Sequence, residues 1–196
     1  MATDLSKGQE FSLSKEYAGL SKISVGLGWD EVEQKKEGFF SKKPQPVDCD
    51  AFALLLSDGK LRRKEDVVYY GKLMHLSGAV EHMGDNLTGE GEGDDEQIVI
   101  DLDSLPAEYD RIVLAVTIYH ASQRKQHFGM VRNAFIRLVD MRNDKEICIY
   151  NLTENYSGQT AVLFGELYRR EGEWKFNAIG QGTTDNSIGE FARRFQ

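Results

Sequence analysis

The chain contains few of the residues that cross-link or interrupt a fold. Its 196 residues include two cysteines and three prolines, and no apolar run approaches the length of a membrane-spanning helix. This composition excludes a disulfide-rich miniprotein, a proline-rich linker protein and a helical membrane protein. The first residues show no basic segment followed by an apolar core, so we expect no secretory signal. We therefore expect Cys49 and Cys148 to be free, buried thiols of a cytoplasmic protein.

Positive charge is missing from one long stretch of the sequence. The net charge is −8, and the 38 residues between Lys72 and Arg111 contain eleven carboxylates but no lysine or arginine. This fifth of the chain carries all of the excess negative charge. Nucleic-acid binding requires a basic face, so the charge balance argues against a nucleic-acid partner.

Short apolar runs separated by turn residues predict a mainly β protein. Helical signal is restricted to a short turn at residues 104–109, with Ser104 as its cap, and a C-terminal helix at 187–195. We predict an all-β sandwich with one or two short helices, forming a single domain over residues 1–196. The nine predicted strands span residues 23–29, 51–56, 67–70, 98–102, 111–119, 133–139, 146–150, 161–168 and 174–179.

A weak internal repeat predicts pseudo-two-fold symmetry for this sandwich. Residues 50–58 resemble residues 133–140, since each segment begins with a polar residue followed by Ala-Phe and an apolar run. Residues 67–70 resemble 147–150, residues 77–85 resemble 157–166, and residues 25–30 correspond to 115–120. Two such halves would face each other, and Asp50 and Asn133 would then occupy equivalent positions with oxygen atoms available as ligands.

Residues 84–96 are the most informative segment for function. They contain six carboxylates, one asparagine and four glycines, and no basic residue. Because the crowded carboxylates repel one another, a compact conformation needs a cation, and Ca²⁺ prefers 6–8 oxygen ligands. The glycines allow backbone carbonyls to turn toward such an ion. Zn²⁺ fits poorly because no Cys or His pair has suitable spacing, and the segment lacks the ligand spacing of an EF-hand.

Acidic residues elsewhere are candidates for the same site. Asp30 ends a predicted strand, and Asp48 and Asp50 are two residues apart, so on a strand both would point to one face. With the acidic loop they would form one acidic end of the sandwich. No nucleophile motif accompanies the four histidines, which argues against an enzyme. The basic loop containing Arg124 and Lys125 is a candidate contact for an anion.

Six segments together resemble one known family, at residues 26–30, 48–51, 84–96, 126–129, 133–137 and 174–176. They are similar to the TerD family of tellurium-resistance and general stress proteins. The resemblance covers about residues 5–195. It implies a cytoplasmic β-sandwich that binds Ca²⁺, in some cases peripheral to the inner face of the membrane, and acts with other stress-resistance proteins, some of them membrane-associated. Carried over by position, the implied metal ligands are Asp30, Asp48, Asp50, Asp85, Asn86, Gly91, Gly93, Asp94, Asp95 and Glu96.

Together the residues and the resemblance lead to one main hypothesis and two alternatives. The main hypothesis is a non-enzymatic Ca²⁺-binding stress-response protein linked to tellurite resistance, which binds the ion through its acidic glycine-rich loop and acts through partner proteins. One alternative is a metal-dependent phosphoesterase that uses paired ions. The other is a binder of a small anion or nucleotide, such as tellurite or cyclic AMP, through bound metal or through Arg124 and Lys125.

Overall fold

Residues 2–31, 45–84 and 93–196 are described by a computed structural model in which β-strands predominate. The strands are β1 Thr3–Leu5, β2 Glu10–Ser12, β3 Lys22–Glu31, β4 Cys49–Leu56, β5 Val67–Tyr69, β6 Val80–His82, β7 Glu96–Asp101, β8 Arg111–Ile118, β9 Val131–Asp140, β10 Lys145–Asn151, β11 Ala161–Arg170 and β12 Glu173–Thr183. The helices are α1 Leu13–Glu16, α2 Ala121–Arg124 and α3 Ile188–Ala192, and single 3-10 turns cover Lys64–Asp66, Phe128–Met130 and Arg193–Phe195.

Two six-stranded sheets form the sandwich within these described ranges. Sheet I has the order β1-β10-β9-β3-β7-β6, and sheet II has the order β2-β12-β11-β8-β4-β5. The predicted mainly β sandwich is confirmed, and each of the nine predicted strands is present. The strands that sequence reasoning missed, β1, β2 and β6, have three residues each. Such short segments show no alternation of apolar and polar residues from which a strand could be recognised.

One of the two predicted helices is present and the other is not. Ser187 caps α3, accepting a hydrogen bond from the backbone N–H of Glu190. The prediction of a short helical turn at residues 104–109 is wrong, because this segment forms non-helical turns. The backbone N–H of Ser104 donates to Asp101 Oδ1 at 2.9 Å, so Ser104 is part of a side-chain-closed turn after β7 instead of a helix cap.

The strand order matches the internal repeat over three strands of each half. In sheet I, β3 lies between β9 and β7, and in sheet II, β8 lies between β4 and β11. Strand β3 therefore corresponds to β8, β4 to β9 and β5 to β10. The two members of each pair lie at equivalent places in opposite sheets. The correspondence ends there, because β6 is an edge strand whereas β11 lies inside its sheet. The similar segments 77–85 and 157–166 thus form strands, β6 and β11, that are not at equivalent places in their sheets.

Strand β4 is buried along its whole length because both of its faces are covered. Cys49, Ala51, Ala53 and Leu55 belong to the core between the sheets. The alternate side chains, such as Phe52, face outward and pack beneath α3, where Phe52 and Phe191 are in edge-to-face contact at 5.2 Å. This double coverage explains why residues 51–56 are a continuous apolar run.

Both cysteines are free and buried, as predicted. Cys148 lies in the core, where burial raises the pKa of its thiol to about 12. Such a thiol is protonated near neutral pH and is a poor nucleophile. The helices of the described ranges are all too short to cross a membrane.

A buried polar network fixes the segment that precedes β5. Asp66 is 1% exposed and accepts hydrogen bonds from Tyr109 Oη at 2.8 Å and from Arg63 Nε at 3.3 Å. His75 Nε2 lies 3.3 Å from the same carboxylate. Burial alone raises the pKa of Asp66, but these hydrogen bonds outweigh it and hold the pKa below its ordinary value. The ionised carboxylate therefore stabilises the folded chain.

Replacing Asp66 with asparagine is expected to flatten the acid limb of the stability curve. The pKa of Asp66 is lower in the folded chain, so its contribution is present above the ordinary aspartate pKa and is lost as the pH falls through the folded value. Each tenfold difference in proton affinity corresponds to about 1.4 kcal/mol. Urea unfolding measured across acidic pH checks this, and equal pH slopes for wild type and Asp66→Asn would contradict it. Asp103→Asn, at an exposed position, is the control.

Candidate functional site

The acidic loop connects β6 to β7, which are antiparallel neighbours in sheet I. Three of the predicted ligands, Asp85, Asn86 and Gly91, lie outside the described residues. The C-terminal part of the loop, residues 93–95, is described and leads directly into β7. It is therefore the part of the predicted metal site whose placement can be analysed.

Residues 93–95 lie against the outer face of β3. The backbone N–H of Asp95 donates to the Leu27 carbonyl at 2.8 Å, and the Trp29 N–H donates to Asp95 Oδ2 at 2.8 Å. Glycine is required beneath this segment. A Cβ atom at Gly26 would lie 2.2 Å from the Asp94 carboxylate, and one at Gly28 would lie 2.9 Å from the Gly93 carbonyl oxygen. The Gly-Leu-Gly-Trp-Asp sequence of β3 thus makes room for the end of the acidic loop.

Asp94 is engaged by protein groups on both of its oxygens. Arg137 Nε donates to Oδ1 at 2.6 Å, and Gln97 Nε2 donates to Oδ2 at 3.1 Å. The Asp94 side chain is only 2% exposed, and Arg137 also contacts Glu146 at 3.3 Å. Sequence reasoning assigned Asp94 to the metal, whereas this geometry favours an anchor that joins the loop to β9. Sheet register, which places Gly26 opposite Arg137, brings the two charges together.

Asp95 and Asp30 form the acidic pair beside this anchor. Burial, followed by the nearby charges of Asp30 and Asp94, raises the pKa of Asp95 despite the hydrogen bond from Trp29. Asp30 is exposed and accepts a hydrogen bond from Asn133 Nδ2 at 2.7 Å. Asn133 itself has a left-handed backbone with a φ of 51°. Ionisation of the Asp95 carboxyl is therefore electrostatically unfavourable in the metal-free chain.

These residues line a cleft of about 660 Å³ at one end of sheet I. Among the described residues, the lining has carboxylate, amide and hydroxyl side chains and no imidazole, thiol or thioether. Asn151 and Thr153, which sequence reasoning missed, also line it, from the end of β10 and the loop after it. The cleft is lined by Trp29, Asp30, Gly93, Asp95, Asn133, Ala134, Phe135, Asn151, Leu152 and Thr153.

The donor set fits a hard cation, but the described residues do not complete a site. Carboxylate, amide and carbonyl oxygens are the ligands that Ca²⁺ prefers. Within residues 2–31, 45–84 and 93–196, no group of three or more His, Cys, Asp or Glu side chains is placed to hold a metal ion. Asp30 and Asp95 would contribute two carboxylates, so further ligands would have to come from the neighbouring carbonyls and amides or from loop residues 85–92.

Comparison with known protein families identifies the family of this chain. The family model for the TerD domain matches residues 1–195. The chain belongs to the TerD family. The stress response protein SCP2 of Bacillus subtilis (strain 168) is 49% identical over 199 residues, covering 100% of both chains. The tellurium resistance protein TerD of Serratia marcescens is 50% identical over 183 residues, covering 93% of this chain and 91% of that protein.

A solved structure supports the fold of this TerD-family chain. The crystal structure of a homologue of telluride resistance protein from Streptomyces coelicolor A3(2) has a TM-score of 0.65 and 23% sequence identity. The match covers 89% of this chain and 96% of that structure. At this identity the likeness shows the two-sheet architecture, and the relatives above carry the family assignment.

The other predicted ligands of the TerD-family protein lie apart from the Asp30 cleft. Asp50 alternates with the core residues Cys49 and Ala51, so it points to the outer face of sheet II. Asp48 lies beside it, 3.5 Å from Arg124 Nη1. These two residues belong to the opposite sheet and do not line the Asp30 cleft. Their place at one shared acidic end stays a prediction, because loop residues 85–92 lie outside the described ranges.

Glu96 occupies a third environment, between the two sheets. Its side chain is fully buried, and its Oε2 accepts a hydrogen bond from the backbone N–H of Ala51 at 2.5 Å across the sandwich. His82 Nε2 lies 3.6 Å from the same oxygen, and His82 Nδ1 accepts from the Gly84 N–H at 3.2 Å. These contacts close the base of the acidic loop and join β7 to β4.

The basic loop predicted to contact an anion already makes contacts within the chain. Arg124 contacts Asp48 and lies over the Tyr119 ring, 5.2 Å from its centroid. Lys125 has a left-handed backbone with a φ of 54° and follows α2 as its C-cap. Arg124 thus already has an anionic partner within the chain.

Proposed function

We propose that this TerD-family protein is a non-enzymatic Ca²⁺-binding protein of the stress response, linked to tellurite resistance. The observation that carries the proposal is Asp95, a partly buried carboxylate whose pKa is raised by burial and by Asp30 and Asp94. An ion in the Asp30–Asp95 cleft would convert this unfavourable cluster of charge into a favourable one. The relatives named for tellurium resistance and stress response support the biological setting.

The protein ligands that we propose differ from the full set that the resemblance implies. Asp30 and Asp95, the Gly93 carbonyl and the amide oxygen of Asn133 line the cleft, while Asp85, Asn86 and Gly91 stand in the adjoining loop. Asp94 would position the loop through Arg137. The bound ion would neutralise the repulsion between Asp30 and Asp95.

An apolar surface next to the loop supports action through partner proteins. Met83, directly before the loop, is 56% exposed, and Leu73, Met74 and Leu76 of the β5–β6 connection are also exposed. A calcium ion bound in the Asp30–Asp95 cleft would change the charge beside this surface. We propose that it contacts other stress-resistance proteins, including membrane-associated ones, and that the protein is cytoplasmic and peripheral to the inner face of the membrane. The two free, buried thiols suit a reducing compartment.

The two alternatives receive less support from the cleft. A phosphoesterase with paired ions needs enough ligands for two metals, and the described lining of the Asp30 cleft supplies only the two carboxylates Asp30 and Asp95. An anion such as cyclic AMP would meet two carboxylates there and would depend on bound metal to bind. We therefore favour the ion itself as the ligand.

Calorimetric titration of Ca²⁺ into chelator-treated protein tests the proposal. We expect saturable binding that Asp95→Asn weakens by at least about tenfold, because a charged ligand is replaced by a neutral one. Asp103→Asn removes an exposed carboxylate of the same acidic stretch outside the cleft and should bind as wild type does. Absence of binding by wild type, or equal affinity of the two variants, would reject the assignment.

A further inference from the structure

The free edge of sheet I lies beyond β6, the last named strand of that sheet. Residues 73–75 run antiparallel to β6, and Met74 pairs there with Glu81. Backbone hydrogen bonds flank this pair on both sides, from the His82 N–H to the Leu73 carbonyl (2.6 Å) and from the His75 N–H to the Val80 carbonyl (2.9 Å). We call residues 73–76 the edge segment.

Met74 presents an unused backbone donor and an unused backbone acceptor at this edge. In an antiparallel pair, a residue flanked by such bonds turns its own N–H and carbonyl away from the partner strand. Within residues 2–31, 45–84 and 93–196, neither backbone group of Met74 has a hydrogen-bond partner. The two groups therefore point outward and are spaced to pair with one residue of a further strand.

The His75 side chain holds the edge segment in place. It is 3% exposed, its Nδ1 lies 2.8 Å from Ser77 Oγ, and its Nε2 lies 3.3 Å from Asp66 Oδ1. A segment that is fixed before binding loses little conformational freedom when another strand is added to it.

The edge segment lacks the features that usually protect a sheet edge. Edge strands without a binding role commonly carry charged residues or proline, as β1 does with the exposed Asp4. The edge segment instead exposes apolar side chains, with Leu76 73% and Met74 49% exposed. Met83, 56% exposed, alternates with Glu81 and so lies on the same face as Met74. This edge is therefore suited to an apolar, extended partner.

The charge around the edge segment favours a cationic partner. Residues 73–110 contain eleven carboxylates and no lysine or arginine. Glu81, directly across from Met74, forms no ion pair with the described residues. The basic side chains that precede the segment are already engaged, since Arg63 and Lys64 contact carboxylates and the Lys72 ammonium group donates to a backbone carbonyl.

We propose that the edge segment binds an extended cationic segment of a partner protein, which joins sheet I as an additional strand. The added backbone exchanges two hydrogen bonds with Met74, and its apolar side chains pack on Leu76 and Met83. Its Lys or Arg side chains extend toward Glu81, which lies two strand spacings, or about 10 Å, from the added strand. The inference rests on the partner surface of the proposed function and does not depend on the calcium site.

Fluorescence anisotropy with a short labelled peptide of alternating lysine and valine tests the proposal. We expect saturable binding to the full chain. The same peptide with N-methylated valines has the same charge but cannot donate those backbone N–H groups, so it should bind at least about tenfold more weakly. A peptide of alternating glutamate and valine should also bind at least about tenfold more weakly, because its charge is reversed.

Variants of the protein locate the binding to the edge segment. Met74→Pro removes an N–H that the chain does not use, at an edge where proline is tolerated, and should weaken peptide binding by about tenfold. Glu81→Gln should weaken it severalfold. Met141→Ala, at a 40% exposed methionine in the turn after β9, is the control and should bind as wild type does.

Several results would overturn this assignment. Equal binding of the parent and N-methylated peptides would show attraction by charge alone, and wild-type affinity of Met74→Pro would place the peptide elsewhere. If Met74→Pro does not fold, the peptide pair and Glu81→Gln decide the matter. Binding to phosphatidylglycerol vesicles without affinity for the peptide would assign the surface to lipid. All titrations contain chelator, and Asp95→Asn should bind the peptide as wild type does, so failure of the calcium proposal is distinguishable from failure of this one.

Discussion

Asp95→Asn is expected to stabilise the protein without metal and to destabilise it, relative to wild type, in Ca²⁺. In the metal-free chain the amide oxygen can still accept the Trp29 N–H, while the charge near Asp30 and Asp94 is removed. With Ca²⁺ at about 100 times its dissociation constant, wild type should gain about 2.7 kcal/mol, which raises the melting temperature of a chain of this size by about 5–10 °C. The variant should lose most of this gain.

Scanning calorimetry with chelator and with Ca²⁺ measures both halves of this reversal. Because the pKa of Asp95 is raised in the folded chain, metal-free wild type should also gain stability as the pH falls through that value toward the ordinary aspartate pKa, and Asp95→Asn should not. Asp103→Asn should show the same calcium response as wild type. A variant that gains as much from Ca²⁺ as wild type does would remove Asp95 from the site.

Glu96→Ala is expected to cost about 3–5 kcal/mol of unfolding free energy, the usual cost of removing one partner from a buried charged contact. The change leaves the Ala51 N–H and His82 Nε2 inside the sandwich without the carboxylate that they face. Glu96→Gln keeps the shape and an acceptor for Ala51, so its loss should be smaller. Both variants retain Asp30 and Asp95.

Urea denaturation of the metal-free protein gives the comparison. Glu154→Ala is the matched control, since Glu154 forms an exposed ion pair with Lys7 and should contribute less than about 1 kcal/mol. A loss for Glu96→Ala as small as that of the control would mean that the contact between β7 and β4 contributes little. Weakened Ca²⁺ binding by a well-folded Glu96→Gln variant would instead assign Glu96 a direct part in the site.

Local pattern was sufficient for most of the architecture. The longer strands were predictable because apolar runs and turn residues are properties of neighbouring residues, as in residues 161–179. The helix prediction at residues 104–109 failed because serine suits a turn as well as a helix cap. The hydrogen bond from the Ser104 N–H to the Asp101 side chain favours the turn. The internal repeat identified three corresponding strands, but not the different places of β6 and β11.

The sequence by itself determined the mainly β fold, the concentration of negative charge and the glycines that accompany it, because these depend on composition and on short-range spacing. Only the tertiary structure decided which carboxylates share a space. Strand register places Asp94 against Arg137, alternation turns Asp50 outward on sheet II, and Glu96 points between the sheets. Residues that lie close together in sequence are thus separated by the faces of two sheets. The repulsion between Asp30 and Asp95 therefore arises only when the sandwich folds, because the two residues are far apart in sequence.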